Sequence, residues 1–167
     1  KIEVLTPEFA TPAAEGVDQV EFKVSANPGL PPRPLAKVAS GGELSRISLA
    51  IQVALSGEKQ VPTLIFDEVD SGIGGGVAEI VGQKMRILGR DRQVFAVTHL
   101  AQVACHGHAH YRVEKSVVDG VTHSVVRPLD GDERSLEIAR MLGGRTLTES
   151  TLAHAREMLA LGQLNPV

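Results

Sequence analysis

Two adjacent carboxylates, Asp67 and Glu68, are the residues of this sequence best suited to do chemistry. They follow a short apolar run at residues 64–66 and precede Val69-Asp70-Ser71-Gly72. The apolar run is too short for an amphipathic helix and predicts a buried strand. In an open parallel sheet, ligands bind just beyond the carboxyl ends of strands. An Asp placed there can hold Mg²⁺ directly or through water, and a Glu beside it can deprotonate a water molecule.

Two other interpretations apply to the same acids. A buried strand that ends in two solvated carboxylates needs no function, and the residues alone leave that possibility open. A calcium-binding EF-hand loop is excluded, because Ile73 stands where that loop needs Gly and because a strand precedes it instead of a helix.

A second candidate segment is Ser40-Gly41-Gly42-Glu43, which predicts the start of a helix. Ser40 is suited to be the N-cap, and Glu43 stands three residues later, where a capping box requires it. The free N–H groups at a helix start attract an anion, and Gly41 and Gly42 let a phosphate come close to the backbone. An ordinary capped helix is the alternative, and it also stays open.

Hydrophobic periodicity predicts the elements that position these segments. The predicted helices cover residues 40–55, 77–88, 132–142 and 148–161, and the predicted strands cover residues 2–5, 20–24, 64–66, 93–97, 111–117 and 121–129. Residues 1–19 are otherwise expected to be irregular. The strand-helix-strand unit between 64 and 97 implies a parallel pair with a right-handed crossover, so Glu68 and His99 should emerge at the same edge. Asp119-Gly120 predicts a tight hairpin turn.

Composition limits the class of protein. The chain has 167 residues, of which 43% are hydrophobic, and this suits one domain with a substantial core. A formal net charge of −3 gives no basic field over the whole domain for nucleic acid. The single Cys105 excludes an internal disulfide and fits a reducing compartment. No apolar run is long enough to span a membrane, and the absence of an initiating Met suggests a fragment.

The second half of the chain carries a dense group of possible metal ligands, Cys105, His106, His108 and His110. No second group of Cys or His stands at the spacing of a zinc finger. We therefore expect no structural zinc, and we expect these residues to begin a surface strand.

The order of these features resembles the second half of an ABC-type ATPase head. Ser40-Gly41-Gly42-Glu43 resembles the signature motif, residues 64–67 resemble Walker B, Val69-Asp70-Ser71-Gly72 resembles the D-loop, and His99 resembles the switch histidine. Residues 37–46, 66–73 and 97–104 narrow the resemblance to the RecN family of SMC-like ABC ATPases, over about residues 20–161. Ala39 stands where transporter signatures carry Leu, which disfavours a transporter ATPase.

The resemblance implies an α/β fold, the C-terminal lobe of an ABC-type P-loop NTPase head. Such a lobe has a mostly parallel sheet flanked by helices, with a β-hairpin late in the chain. It would span all of residues 1–167. The N-terminal lobe with its Walker A phosphate loop, and the coiled coil that splits such heads, would lie outside this sequence, which contains no Gly-x-x-x-x-Gly-Lys-Ser/Thr motif.

The resemblance also implies ATP and Mg²⁺ as cofactors and assigns roles to residues. Asp67 would help to hold Mg²⁺ through the water bound to the ion. Glu68 would activate the attacking water, and His99 would touch the γ-phosphate. The residues that would contact the ATP of the opposite head or the dimer interface are Ser40, Gly41, Gly42, Glu43, Asp70 and Ser71.

The function implied is ATP hydrolysis by heads that dimerise on ATP, in the recombinational repair of DNA double-strand breaks. The implied partners are the N-terminal lobe, a second identical head, and DNA through the full-length protein, with no membrane involved. The implied location is the cytoplasm, at the bacterial nucleoid, and this chain alone would be inactive. The alternatives are an ATP-gated, non-catalytic DNA-tethering scaffold and the head of another SMC-like DNA-repair ABC ATPase. The presence of both Asp67 and Glu68 favours turnover over a scaffold.

Overall fold

The structure is a computed structural model that describes residues 2–5, 8–14, 16–18, 21–25, 29–38, 40–55, 61–143 and 146–164. The chain divides into two compact units, Lys1–Ser40 and Gly41–Val167.

The first unit is built from short antiparallel strands. Its elements are β1 (Ile2–Leu5), β2 (Glu8–Ala13), β3 (Gly16–Asp18), β4 (Glu21–Val24), β5 (Arg33–Pro34) and the single-turn helix α1 (Leu35–Val38). One sheet has the order β1-β4-β5, and β2 pairs with β3. The strands predicted at 2–5 and 20–24 are confirmed, except that Val20 lies outside the described residues.

The expectation of irregular structure over residues 1–19 is wrong for β2 and β3. The register of that pair shifts between Glu8 and Ala13, and Pro12 stands inside β2. A proline cannot donate to a sheet ladder, and a register shift disturbs the alternation of side chains. Both features hide a strand from pattern analysis.

The second unit begins with the predicted helix and the predicted parallel pair. Its first elements are α2 (Gly41–Ala54), β6 (Thr63–Phe66), α3 (Gly75–Leu88) and β7 (Gln93–Ala96). Strands β6 and β7 pair in parallel, from Thr63 with Gln93 to Phe66 with Ala96. Within the described residues, parallel pairing is confined to these two strands, and the remaining paired strands are antiparallel.

The first hydrophobic core lies where α2, α3 and β6 meet. Its buried members are Leu49, Phe66, Val69, Ala78, Val81, Met85, Leu88 and Val103. Val77 and Ile80, two other apolar residues of α3, are exposed. Ile65 is 73% exposed, so β6 is covered on one face only and the prediction of a fully buried strand is wrong.

The rest of the second unit is a hairpin and three helices. Its elements are α4 (Ala101–Ala104), β8 (Tyr111–Val118), β9 (Val121–Pro128), α5 (Gly131–Gly143) and α6 (Glu149–Gln163). A second core, formed by α4, α5 and α6, consists of Ala101, Ala104, Cys105, Ile138, Ala139 and Ala155. Thr148 is the N-cap of α6, since its Oγ1 accepts from the N–H of Thr151 over 3.2 Å. Within the described ranges, no helix is both long and apolar enough to cross a bilayer.

The hairpin of β8 and β9 turns where the sequence predicts. Asp119 and Gly120 have φ values of +52° and +77°, and two central residues with positive φ match the handedness of a two-residue hairpin turn. Ion pairs fix the base of the hairpin on α5. Arg127 Nη1 lies 2.7 Å from Glu133 Oε1, and Arg112 Nη1 lies 3.5 Å from Glu137 Oε2.

Candidate functional site

The carboxyl ends of β6 and β7 lie side by side, and the candidate residues follow them directly. Phe66 pairs with Ala96 at the last position of the register, and the N–H of Val97 donates to Phe66 O over 3.0 Å. The chain therefore leaves β6 as Asp67-Glu68 beside the point where it leaves β7 toward His99. The prediction that Glu68 and His99 emerge at one edge is confirmed.

The two carboxylates occupy a tight turn at this edge. Asp67 Oδ1 accepts from the backbone N–H of Glu68 over 2.9 Å, and both side chains are exposed. Glu68 has a φ of +57°, and Glu68 O accepts from the N–H of Ser71 over 3.0 Å. A left-handed backbone at a residue with a side chain costs about 1–3 kcal/mol, and such strain is concentrated at functional sites. Glu68 is thus held in place by its surroundings against its own preference.

The first turns of α2 hold the loop that carries these acids. Ser45 Oγ donates to Asp67 O over 2.9 Å. Arg46 Nη1 donates to Ser71 O over 2.8 Å and to Val69 O over 3.3 Å. Sequence reasoning missed the role of Arg46. The available signal was a cation at the start of a helix already expected to lie near an acidic loop.

Gly41 and Gly42 let the start of α2 approach the same loop closely. A β-carbon at Gly41 would lie 2.8 Å from Glu68 Oε2. A β-carbon at Gly42 would lie 2.9 Å from both Glu68 O and Ser71 Cβ. The sequence suggested that these glycines admit a phosphate. In this structure they also admit the chain's own loop, which brings the signature-like segment against Glu68.

The polar residues that flank the two glycines are placed differently. Ser40 is exposed, and Glu43 is half-buried in the first turn of α2. Both make contacts within the structure. Their predicted contact with a nucleotide stays a prediction.

Asp70 ties the loop after β6 to the loop after β7. Its side chain is buried, with 2% exposure. Oδ2 accepts from Thr98 Oγ1 over 2.5 Å and from the backbone N–H of His99 over 3.0 Å. Nδ1 of His99 lies 3.2 Å from the same oxygen. Sequence reasoning did not foresee Thr98, although its place beside His99 at a strand end was a usable signal.

Asp70 and Ser71 were predicted to cross a dimer interface together. The structure places them differently, because Ser71 is exposed whereas the carboxylate of Asp70 faces inward. A role at a dimer interface stays a prediction for both residues.

Residues 105–110 form a turn that is buried at Cys105 and His106 and exposed at His108 and Ala109. The strand β8 begins only at Tyr111, so the expectation that these residues begin a surface strand is wrong. Gln163 Nε2 donates to Cys105 O and to Gly107 O, each over 3.2 Å. Arg86 Nη1 donates to His106 O over 2.9 Å. Arg134 on α5 donates from Nη2 to Gly107 O over 2.8 Å. Side chains from three helices thus satisfy the carbonyl groups of this turn.

The same turn is poorly suited to bind a metal ion. Burial raises the pKa of the Cys105 thiol to about 11, and a metal ligand must be the thiolate. Within the described ranges, no three His, Cys, Asp or Glu side chains gather into a group that could hold a metal ion.

Curated proteins of similar sequence share one name. The chain is 54% identical over 158 residues to the DNA repair protein RecN of Xylella fastidiosa (strain 9a5c), an alignment that covers 95% of this chain and 28% of that protein. It is 54% identical over 149 residues to the Haemophilus influenzae protein of that name, an alignment that covers 89% of this chain and 27% of that protein. The Deinococcus radiodurans protein is 52% identical over 160 residues, covering 96% and 28%. The chain is homologous to bacterial RecN.

The RecN relatives are much longer than this chain, which spans about 28% of their length. No protein-family model matches the chain. A solved structure from work on "Structural biochemistry of ATP-driven dimerization and DNA stimulated activation of SMC ATPases" has a similar fold, with a TM-score of 0.51 at 20% identity. It covers 77% of this chain and 75% of that one. The α/β fold expected for a head of the SMC-like group is thereby confirmed.

Proposed function

We propose that this chain is the C-terminal lobe of an ATP-hydrolysing, SMC-like head that dimerises on ATP and acts in the recombinational repair of DNA double-strand breaks. One observation carries the proposal. The glycine pair that opens α2 lies against Glu68, and Asp70 of the same loop binds the segment of His99, so three separate motifs meet at one sheet edge. The name of the RecN relatives and the fold of the SMC neighbour support the same function.

Glu68 is the residue proposed to activate the attacking water. It stands at the carboxyl end of a strand of a parallel pair, where substrates bind in open α/β sheets. A carboxylate in reach of water can accept its proton as the nucleophile forms. The strained backbone of Glu68 and the hydrogen bonds from α2 to the flanking carbonyl groups fix the stretch of backbone that carries this carboxylate.

Asp67 is the residue proposed to hold Mg²⁺, through the water bound to the ion. Its exposed carboxylate, fixed by the N–H of Glu68, offers the oxygen donors that Mg²⁺ prefers. When bound, the ion would neutralise the charge that develops on the transferred phosphoryl group.

The remaining site residues are proposed to act on ATP across a dimer of heads. Ser40, with the N–H groups of Gly41 and Gly42 and with Glu43, would contact the γ-phosphate of ATP held by the opposite head. His99 would touch the γ-phosphate in its own head, and Asp70 with Ser71 would border the dimer interface. Charge-assisted contacts of this kind contribute roughly 1.5–3 kcal/mol each, so ATP would join the heads and hydrolysis would release them.

The proposed activity needs parts beyond this sequence. The β- and γ-phosphates need a phosphate loop with its Lys, and no such motif occurs among the 167 residues. The N-terminal lobe and a second head are therefore proposed as obligatory partners. DNA would be bound through the full-length protein, in the cytoplasm at the nucleoid.

The substitution Glu68→Gln, made in a complete head, tests the catalytic role. We expect ATP binding to persist and turnover to fall by about 10²–10⁴-fold, because the amide keeps the shape of the carboxylate but cannot accept a proton. ATP-joined dimers should then accumulate. Steady-state turnover and sedimentation with Mg·ATP are to be measured on the same samples.

Glu157→Gln, at an exposed position on α6, is the matched control and should leave both readouts unchanged. Near-normal turnover of Glu68→Gln would remove Glu68 from the catalytic role. A parent head that dimerises on ATP but never hydrolyses it would favour the tethering scaffold instead.

A further inference from the structure

The carboxylate of Asp70 is buried among donors that belong to a different loop. A buried carboxylate is costly unless its oxygens are hydrogen-bonded. Here one oxygen, Oδ2, accepts from the Thr98 hydroxyl and from the backbone N–H of His99. Both donors are uncharged, and both stand at the end of β7. The Asp70 side chain therefore fixes the backbone at His99.

The imidazole of His99 faces the same oxygen. Nδ1 lies 3.2 Å from Asp70 Oδ2, whereas 73% of the His99 side chain is exposed. An unprotonated Nδ1 would turn its lone pair toward the carboxylate oxygen, which is repulsive. A protonated Nδ1 places a donor there instead. The geometry thus favours the tautomer with the proton on Nδ1. The other ring nitrogen, Nε2, points away from Asp70.

We propose that Asp70 is a positioning residue for His99, which sets both the direction of the ring and the site of its proton. This inference rests on the proposed function, in which His99 meets the γ-phosphate. With Nδ1 committed to Asp70, Nε2 is the atom left to face the nucleotide. A phosphate oxygen accepts hydrogen bonds, so Nε2 meets it as a donor in a ring that carries a proton on both nitrogens.

Capping of the neighbouring helix does not account for this contact. Thr98 Oγ1 accepts from the N–H of Leu100 over 3.1 Å and so orders the chain before α4. Thr98 could do this without a carboxylate behind the ring of His99. Arg46 also binds the carbonyl groups on both sides of Asp70, so the position of Asp70 is set from α2. The ring of His99 is consequently oriented by a loop that the signature-like helix controls.

The tautomer of His99 in the ¹⁵N-labelled 167-residue chain tests the inference directly. Long-range ¹H–¹⁵N correlation spectra at pH 8.5, where neutral imidazole prevails, distinguish the two tautomers. The signals of His99 are assigned by their loss in His99→Gln. We expect the Nδ1-protonated form in the parent chain. Asp70→Ala should return the ring to the Nε2-protonated form that histidine favours in water.

Thr98→Val is the matched control, because it removes the hydrogen bond from the Thr98 hydroxyl to Asp70 Oδ2 and leaves the carboxylate behind the ring. It should keep the Nδ1-protonated form. If Asp70→Ala does not fold, Asp70→Ser decides the question: the shorter hydroxyl no longer stands behind the ring, so the Nδ1-protonated share should fall. An Nε2-protonated ring in the parent chain, or an unchanged ring in the Asp70 variant that folds, overturns the inference.

Turnover of a complete head separates this inference from the proposed function. We expect kcat to fall about tenfold or more in Asp70→Ser with KM little changed, as when the residue that orients a functional histidine is removed. If His99→Gln leaves turnover unchanged, the proposed role of His99 fails even where the tautomer result holds. If His99→Gln abolishes turnover while the tautomer result fails, the function stands and the positioning role of Asp70 falls.

Discussion

Gly41 and Gly42 are adjacent, yet a methyl group at each would meet different neighbours. At Gly41 it would meet Glu68 Oε2, the end of a flexible side chain. At Gly42 it would meet Glu68 O and Ser71 Cβ, which belong to the tight turn itself. We expect Gly42→Ala to lower the free energy of unfolding by about 1–3 kcal/mol relative to Gly41→Ala, because overpacking against backbone cannot relax.

Urea unfolding of the two variants checks this difference. Replacing a helical Gly by Ala raises helix propensity by up to about 1 kcal/mol, and that gain is common to both variants. Their difference therefore isolates the contact. Equal stabilities would contradict the close packing of α2 on the acidic loop.

At the level of single residues, the sequence predicted the positions of the candidate residues better than their contacts. Asp67, Glu68 and His99 were found because each stands at the end of a predicted strand. Arg46 and Thr98 were not found, since their partners Ser71 and Asp70 lie 25 and 28 positions away in the chain. No local pattern encodes a hydrogen bond across such a separation.

At the scale of elements, His106 is the most instructive residue. It lies in the turn after α4 and is enclosed by α3 and α6. The residue is 7% exposed, and a β-carbon at Gly82 would collide with its ring. Burial lowers the pKa of His106 and Arg86 lowers it further, against opposing effects of the Gly162 backbone and Glu79. The pKa of His108 and of His110 is also lowered by burial and by Arg134. The neutral rings therefore belong to the folded state.

The lowered pKa values predict a loss of stability in mild acid. The unfolded chain takes up protons near pH 6.5, the ordinary histidine pKa, before the folded chain does. The contribution of these histidines to the free energy of unfolding is complete above pH 6.5, and it is lost as the pH falls toward their lower pKa values in the folded chain. Unfolding by urea at pH 7.5 and pH 5.5 should show this loss.

His106→Gln should reduce that pH dependence, whatever it does to stability at neutral pH. His154→Gln, at an exposed position on α6, is the matched control. If the two substitutions changed the pH dependence of the free energy of unfolding equally, burial of His106 would not be its cause.

Elements with a strong period were predictable from sequence, and short elements stabilised by distant contacts were not. Helix α3 and strand β7 carry their own patterns, and the hairpin turn at Asp119 carries its own residue types. Helix α4 has a single turn, and nucleation makes such a helix unfavourable without tertiary support. The turn at 105–110 depends on donors from Arg86 and Gln163, which only the folded chain brings together.

For the whole molecule, the sequence predicts a nucleotide site that is incomplete. The chain carries candidates for the signature, Walker B and the switch histidine but no phosphate-loop motif. In P-loop enzymes, the backbone and the Lys of that phosphate loop supply most of the ground-state contacts to phosphate. We expect no binding of Mg·ATP to the isolated chain at micromolar concentrations, measured by calorimetry. Micromolar affinity would reveal a phosphate site that neither the motifs nor the fold indicate.

The apolar surface of the isolated chain calls for a parallel measurement of association. Ile65, Phe95 and Val97, at the parallel pair, are 73%, 44% and 62% exposed. Contiguous apolar surface of this kind promotes association. Sedimentation should accompany the calorimetry, so that weak binding is not confused with a site blocked by aggregation. Addition of an N-terminal lobe in trans should restore both nucleotide binding and ATP-dependent dimers.

The turn at 105–108 also constrains the order of events during synthesis. Its carbonyl groups accept from Arg86, which precedes it, and from Gln163, which is translated 58 positions after Cys105. A nascent chain can form the parallel pair and α3 while α6 is still inside the ribosome. It cannot complete the turn after α4 until α6 has emerged, so during that interval the carbonyl groups that Gln163 will bind stay exposed to solvent, to chaperones and to neighbouring chains.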